Sequence, residues 1–165
     1  MEQKTFEKIK EELLLRAKKA GACQIGYAMG LRSQSKADIL KAITDNWFWV
    51  LRTARIVDAE YLEDNFTEEE LTEAGIYTQK YHEVTTTSFA CGSATVEAYD
   101  SATVEACDSA TVEAYGSATV KAYENSYVED LTGNIRPQSG YAVIKDYYNH
   151  KIYIKKGRYQ IVEVD

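Results

Sequence analysis

The sequence predicts an α+β protein: an N-terminal small helical domain, then a short β-solenoid with a C-terminal β cap. Three observations carry this expectation. Residues 85–132 repeat every eight positions. Apolar residues alternate within each repeat. The first 76 residues instead place caps and apolar side chains at helical spacing. The boundaries expected are 1–76 for the helices, 77–132 for the solenoid and 133–165 for the cap.

Thr5 can cap a helix to about Ala20, with Phe6, Ile9, Leu13 and Ala17 near helical spacing and Gly21 ending it. Ala22 to Gly30 suits a second, short helix. Ser35 can cap a third through Ile43. Trp47-Phe48-Trp49-Val50-Leu51 suits a buried helix running to Ile56. Thr67-Glu68-Glu69-Glu70 is a capping box, and its helix stops at Gly75. Five short helices packed around Trp47, Phe48 and Trp49 would form a small core.

The octads read Ser-Ala-Thr-Val-Glu-Ala-Tyr-Asp at 93–100, with close copies at 101–108, 109–116 and 117–124. Weaker copies flank them at 85–92 and 125–132. Ala94, Val96 and Ala98 point one way; Thr95, Glu97 and Tyr99 point the other. Period two means strand. Asp, Gly or Glu followed by Ser suits a turn. Eight extended residues span about 26 Å, too short to circle two walls roughly 10 Å apart. Two octads per 16-residue coil, about three coils in all, is therefore expected. One wall would show Glu97, Glu113 and Glu129, with Tyr99 and Tyr115 at the strand end. The other would show Phe89, Glu105 and Lys121, with Cys91, Cys107 and Tyr123. The tail should add strands at Gly140–Tyr147, Lys151–Lys155 and Arg158–Val164.

Charge is uneven. Residues 85–132 hold one lysine against eight carboxylates, whereas 133–165 hold six basic and three acidic side chains. The acidic repeat argues against direct nucleic-acid binding and favours a protein with a basic surface. No run of about 18 apolar residues occurs, so no membrane span is expected. Met1-Glu2-Gln3-Lys4 leads into a charged helix and does not resemble a signal peptide. Cys23, Cys91 and Cys107 lack metal-ligand spacing and suggest free thiols in a reducing cytoplasm. His82 and His150 have no ligand-spaced neighbours. No phosphate loop, nucleophile elbow or HExxH motif is present. No catalytic residue, cofactor or metal is therefore expected. A pocket near Tyr77, Tyr81 and His82 would be needed for an enzyme.

Lys18-Lys19-Ala20-Gly21-Ala22-Cys23, Gly26-Tyr27 and Asp45-Asn46-Trp47-Phe48-Trp49-Val50-Leu51 together resemble the helical domain of bacterial immunity proteins, which also occurs in phage genes. That pattern is Ala-Cys-x-x-Gly, a gap, then Asp-x-Trp-x-x-Trp-Leu; here the second Trp falls one place early. The resemblance implies binding and neutralising a protein. The alternative is a plain helical cap for the solenoid. The octads resemble octapeptide arrays of gut-bacterial and phage proteins with the same Ala-Thr-Val-Glu-Ala-Tyr pattern. More distantly they resemble ice-nucleation repeats, but Glu stands where those have a second Thr. Acidic pentapeptide-repeat solenoids, which mimic DNA, are similar in charge and shape.

These readings lead to one expected function: an inhibitor of immunity or anti-CRISPR/anti-defence type, from a phage or bacterium. Its acidic face would block a nuclease or other nucleic-acid-binding effector. Glu97, Glu105, Glu113, Glu129, Asp100 and Asp108 would carry charge, and Tyr99 and Tyr115 contact area. The bland reading of the same acids is solubility and protection of a flat sheet from aggregation. The alternative function is a structural spacer that self-assembles, for example in a phage particle, with a homo-oligomer as the consequence.

Overall fold

The computed structural model describes residues 4–162 and 164. The chain divides into two compact units after Ile76.

The first unit is helical. Its elements are α1 (Phe6–Lys19), α2 (Gln24–Arg32), α3 (Lys36–Asp45), a π-helical turn (Phe48–Thr53), α4 (Ala59–Asn65) and α5 (Glu68–Glu73). Thr5, Cys23, Ser35, Asp58 and Thr67 each accept a hydrogen bond from a backbone N–H in the first turn that follows. Such caps satisfy donors that a helix start leaves orphaned. Thr67 and Glu70 complete the capping box reciprocally. Helix α4 was not among the five expected. Its start is marked by Asp58, whose carboxylate accepts from Tyr61 N at 2.8 Å. The core gathers Ile9, Leu40, Leu62 and Phe66, with Trp47 buried. Phe48 is 45% exposed, so it does not join the core as expected. The π-turn swings it outward: Ala54 N bonds Trp49 O, five residues back, at 2.8 Å.

The second unit is a parallel β-solenoid. Its strands are β1 (Ile76–Tyr77), β2 (Tyr81–Val84), β3 (Ser88–Ala90), β4 (Thr95–Ala98), β5 (Thr103–Ala106), β6 (Thr111–Ala114), β7 (Thr119–Ala122), β8 (Tyr127–Asp130), β9 (Val143–Asp146) and β10 (Lys151–Ile154). Successive strands alternate between two sheets. The short sheet has the order β1-β3-β5-β7, and the long sheet β10-β9-β8-β6-β4-β2. Thr95 faces Thr111, and Thr103 faces Thr119, so one coil is sixteen residues. Ala94, Val96 and Ala98 are fully buried, as are their counterparts in the next two octads. Alternation within each octad sets these faces.

The solenoid makes about four turns where the octads alone suggested three. The ladder continues past 132, because Tyr127 faces Val143 in parallel register and Pro137 bridges to Ala122. Strand β10 runs antiparallel to β9. The first coil is shorter, since Tyr81 faces Thr95. Arg158–Val162 and Val164 form no strand, and Glu163 lies outside the described residues, as do Met1–Gln3.

The corners explain the octad's last residue. Gly92, Asp100, Asp108, Gly116, Glu124 and Gly140 all have φ between +53° and +68°. Gly adopts this left-handed geometry freely and Asp tolerates it. At Gly140 a Cβ would sit 2.7 Å from Glu124 Cα, so close stacking of the corners also demands glycine there.

Candidate functional site

The outward face of the long sheet carries columns of like side chains. Registered strands place Glu83, Glu97, Glu113 and Glu129 in one column, which ends at Lys145. Neighbouring strands in a sheet stand about 4.8 Å apart. Two carboxylates at that distance repel by about 1 kcal/mol in water and about 3–4 kcal/mol at an effective dielectric of 20. The column needs compensation.

Tyrosine hydroxyls supply it. Tyr99 donates to Glu97 and Tyr115 donates to Glu113, the latter at 2.8 Å. Tyr127 donates to Glu129 at 3.1 Å and Tyr81 to Glu83 at 3.4 Å. Each of the four glutamates thus accepts a phenol, at i+2 for the middle pair and i−2 for the outer pair, and Tyr81 also bonds Glu97 on the next strand. The rings of Tyr99 and Tyr115 stack at 5.0 Å with an 11° tilt. The hydrogen bond to Glu97, with burial and the charge beside it, pushes the Tyr99 phenol up to about 12. The bond to Glu113 does the same for Tyr115, also to about 12. Tyr127 is raised first by burial and then by its bond to Glu129. At Lys145 the column reverses sign, and its ammonium donates to Tyr147 Oη at 2.5 Å.

The expected site residues divide among four places. Glu97, Glu113, Glu129, Tyr99 and Tyr115 share the long-sheet wall. Glu105 is on the short sheet, where Lys121 one coil later binds it at 2.6 Å. Asp108 is at a corner, and its carboxylate accepts from Gly92 N at 3.1 Å. Glu124 repeats that contact one coil on, accepting from Asp108 N at 2.9 Å. These corner acids hold the backbone of the stack. Asp100 occupies the other corner, exposed, and stacks against Gly116. Cys91 and Cys107, read as outward-facing, are buried. The Cys107 thiol lies 3.6 Å from Ala90 O. A small sulfur fits under this corner, whereas Tyr123 in the same slot stays half-buried. Among the described residues no group of three His, Cys, Asp or Glu can hold a metal ion. The His82 ring lies 4.3 Å from that of Tyr77 at a 32° tilt, with Nε2 2.9 Å from Gln79 O.

Sequence reasoning missed both ends of the column. Tyr81-His82-Glu83-Val84 and Val143-Ile144-Lys145-Asp146 carry the strand pattern but leave the octad register. It also missed Asp130 and Asp146, which are buried and face one another across β8 and β9. Asp130 accepts from the backbone N–H groups of Thr132, Gly133 and Ile135 at 2.8–2.9 Å, which ties the loop after β8. Burial would raise the Asp146 carboxyl, but N–H donors from Asn149 and the charge of Arg136 hold it below its ordinary value.

The molecule thus combines a helical unit with a parallel β-solenoid bearing an acidic, tyrosine-bound wall. The chain matches no protein family, no curated protein and no solved structure. No helix among the described residues is long and apolar enough to cross a membrane.

Proposed function

We propose that the protein binds and blocks a basic protein through the long-sheet wall. The single observation behind this reading is the column Glu83, Glu97, Glu113 and Glu129, each glutamate bonded to a tyrosine hydroxyl. Aligned charge of one sign steers and selects a cationic partner. Tyrosine adds rigid contact area of the kind enriched at binding hot spots. The partner class that fits is a nuclease or other nucleic-acid-binding effector, in the manner of an immunity or anti-defence inhibitor from a phage or bacterium acting in the host cytoplasm. The column offers one charge per about 4.8 Å. A DNA strand offers one per about 3.4 Å. Charge alone is thus the weaker competitor, and the tyrosines supply the selectivity. Direct nucleic-acid binding by this wall is disfavoured by its sign.

A tagged full chain, incubated with bacterial host lysate at low and high salt, tests this. Retention of one basic effector at low salt and its loss at high salt is the expected result. Recovery of the chain alone would move the weight to the second reading, a self-assembling spacer. That reading is favoured by β10, a sheet edge whose Ile152 is 66% exposed. Sedimentation that depends on concentration but not on salt would mark it.

A further inference from the structure

The helical unit contains a half-open cleft of about 230 Å³, lined by residues of that unit alone. Its lining includes Leu13, Ala17, Gly26, Tyr27, Ala42 and Trp49. Protein interiors keep few voids larger than a water, and an apolar cavity of about 150 Å³ already accepts benzene. This space exceeds that size and is mostly apolar.

The sequence keeps it open at a cost to local structure. Helix α2 buries no residue fully, leaves Ile25 and Leu31 exposed, and carries Gly26 and Gly30 within its span. Glycine inside a helix costs about 0.8–1 kcal/mol relative to alanine. At Gly26 an added Cβ would meet only ordinary contacts, Cys23 Sγ at 3.5 Å and Asn46 Oδ1 at 3.6 Å. Alanine would therefore fit there and favour the helix. Opposite α2, the π-turn places Trp49 and Val50 on the cleft, and such turns are frequent at functional sites.

Among the polar side chains on the lining, Lys10 already donates to Ser33 O at 2.6 Å, and Asn46 offers an acceptor. Asn46 uses its amide hydrogens on Ala42 O at 2.9 Å and Met29 Sδ at 3.6 Å. Its Oδ1 remains an acceptor beside Gly26. A mostly apolar pocket with one placed acceptor selects by shape and by a single donor.

We infer that this cleft, between α1, α2 and the Asn46–Val50 segment, binds a small neutral aromatic molecule carrying one O–H or N–H donor. The ring lies among Leu13, Tyr27 and Trp49, and the donor bonds Asn46 Oδ1.

Phenol and toluene are the probes, titrated into the full chain and followed by methyl NMR. Saturable shifts at Leu13, Ile43 and Val50 are expected. In Asn46→Leu the ratio of phenol to toluene affinity should fall about two- to tenfold, the span of one lost hydrogen bond. Gly26→Ala should raise the melting temperature yet weaken both probes several-fold, a split that a purely structural glycine does not produce. It also decides the matter if Asn46→Leu fails to fold. Absence of saturable shifts in the wild type, an unchanged ratio in folded Asn46→Leu, or unchanged binding in Gly26→Ala would overturn the inference.

Discussion

In the helical unit each α-helix begins at its own side-chain cap, and the core packs through large side chains such as Ile9, Leu40 and Phe66. The solenoid has almost no large side chain inside; its core is chiefly Ala and Val, repeated each coil. What it has instead is an unbroken backbone ladder. Even the corners bond from coil to coil, as Ser117 N to Asp100 O at 2.8 Å and Asn125 N to Asp108 O at 2.9 Å. The helical unit is stabilised by side-chain volume, and the solenoid by stacking geometry. The solenoid's outer residues are thereby released from packing and can carry a surface.

That contrast can be broken at matched glycines. Gly21, after α1, and Gly140, at a solenoid corner, both have positive φ. Nothing lies within 4 Å of a Cβ at Gly21, whereas at Gly140 the Cβ would strike Glu124 backbone. Gly21→Ala should cost only about 1–2 kcal/mol, the price of the left-handed conformation. Gly140→Ala should cost clearly more, as read by urea denaturation. Equal effects would show that the corners are not tightly stacked.

Val112→Ala deletes one of the few branched side chains of the middle coil and should cost about 2 kcal/mol. In a stack of nearest-neighbour coils the loss should be local. Amide exchange should accelerate around β4, β6 and β8 and stay unchanged in α1 and α3.

Alkali should load the tyrosine-bound wall, and Tyr61 in the helical unit, raised to about 12 chiefly by burial, should respond in the same range. Tyr99 and Tyr115 are held at about 12 against an ordinary 10.0. A raised folded value means the unfolded chain ionises first. The stabilisation is therefore complete below pH 10 and is lost as pH rises to about 12. Phenolate absorbance of these two residues should appear later than in the urea-unfolded chain, and the solenoid should open in that window. The smallest effect belongs to Glu105–Lys121, an exposed pair at 2.6 Å. A double-mutant cycle there should give about 0.2–1 kcal/mol and fade with salt.

How much of this was readable in the sequence follows the same division. The octad told the two-octad coil, the inward Ala-Val-Ala face and the Glu97–Glu113–Glu129 column, because one local pattern is used repeatedly. It failed where the pattern drifts: Glu83, two residues out of register, and Lys145, beyond a loop that Asp130 folds back. It also could not tell a free corner carboxylate from one bonded across the coils. Asp100 and Asp108 are the same letter in the same slot, and only the coil-to-coil bond to Gly92 distinguishes the second. In the helical unit the caps at Thr5, Ser35 and Thr67 were readable one by one; those at Cys23 and Asp58 were not. The cleft was not, because Cys23, Gly26, Asn46 and Trp49 come together only through packing.

The central claim is that the glutamate column serves binding and not stability. The most direct measurement is capture from host lysate by the triple variant Glu97→Gln, Glu113→Gln and Glu129→Gln beside the wild type, both verified as folded. Glutamine keeps an acceptor for each tyrosine and removes only the charge. The account predicts a folded variant that no longer retains the basic partner held by the wild type at low salt. A folded variant that captures that partner undiminished would contradict it.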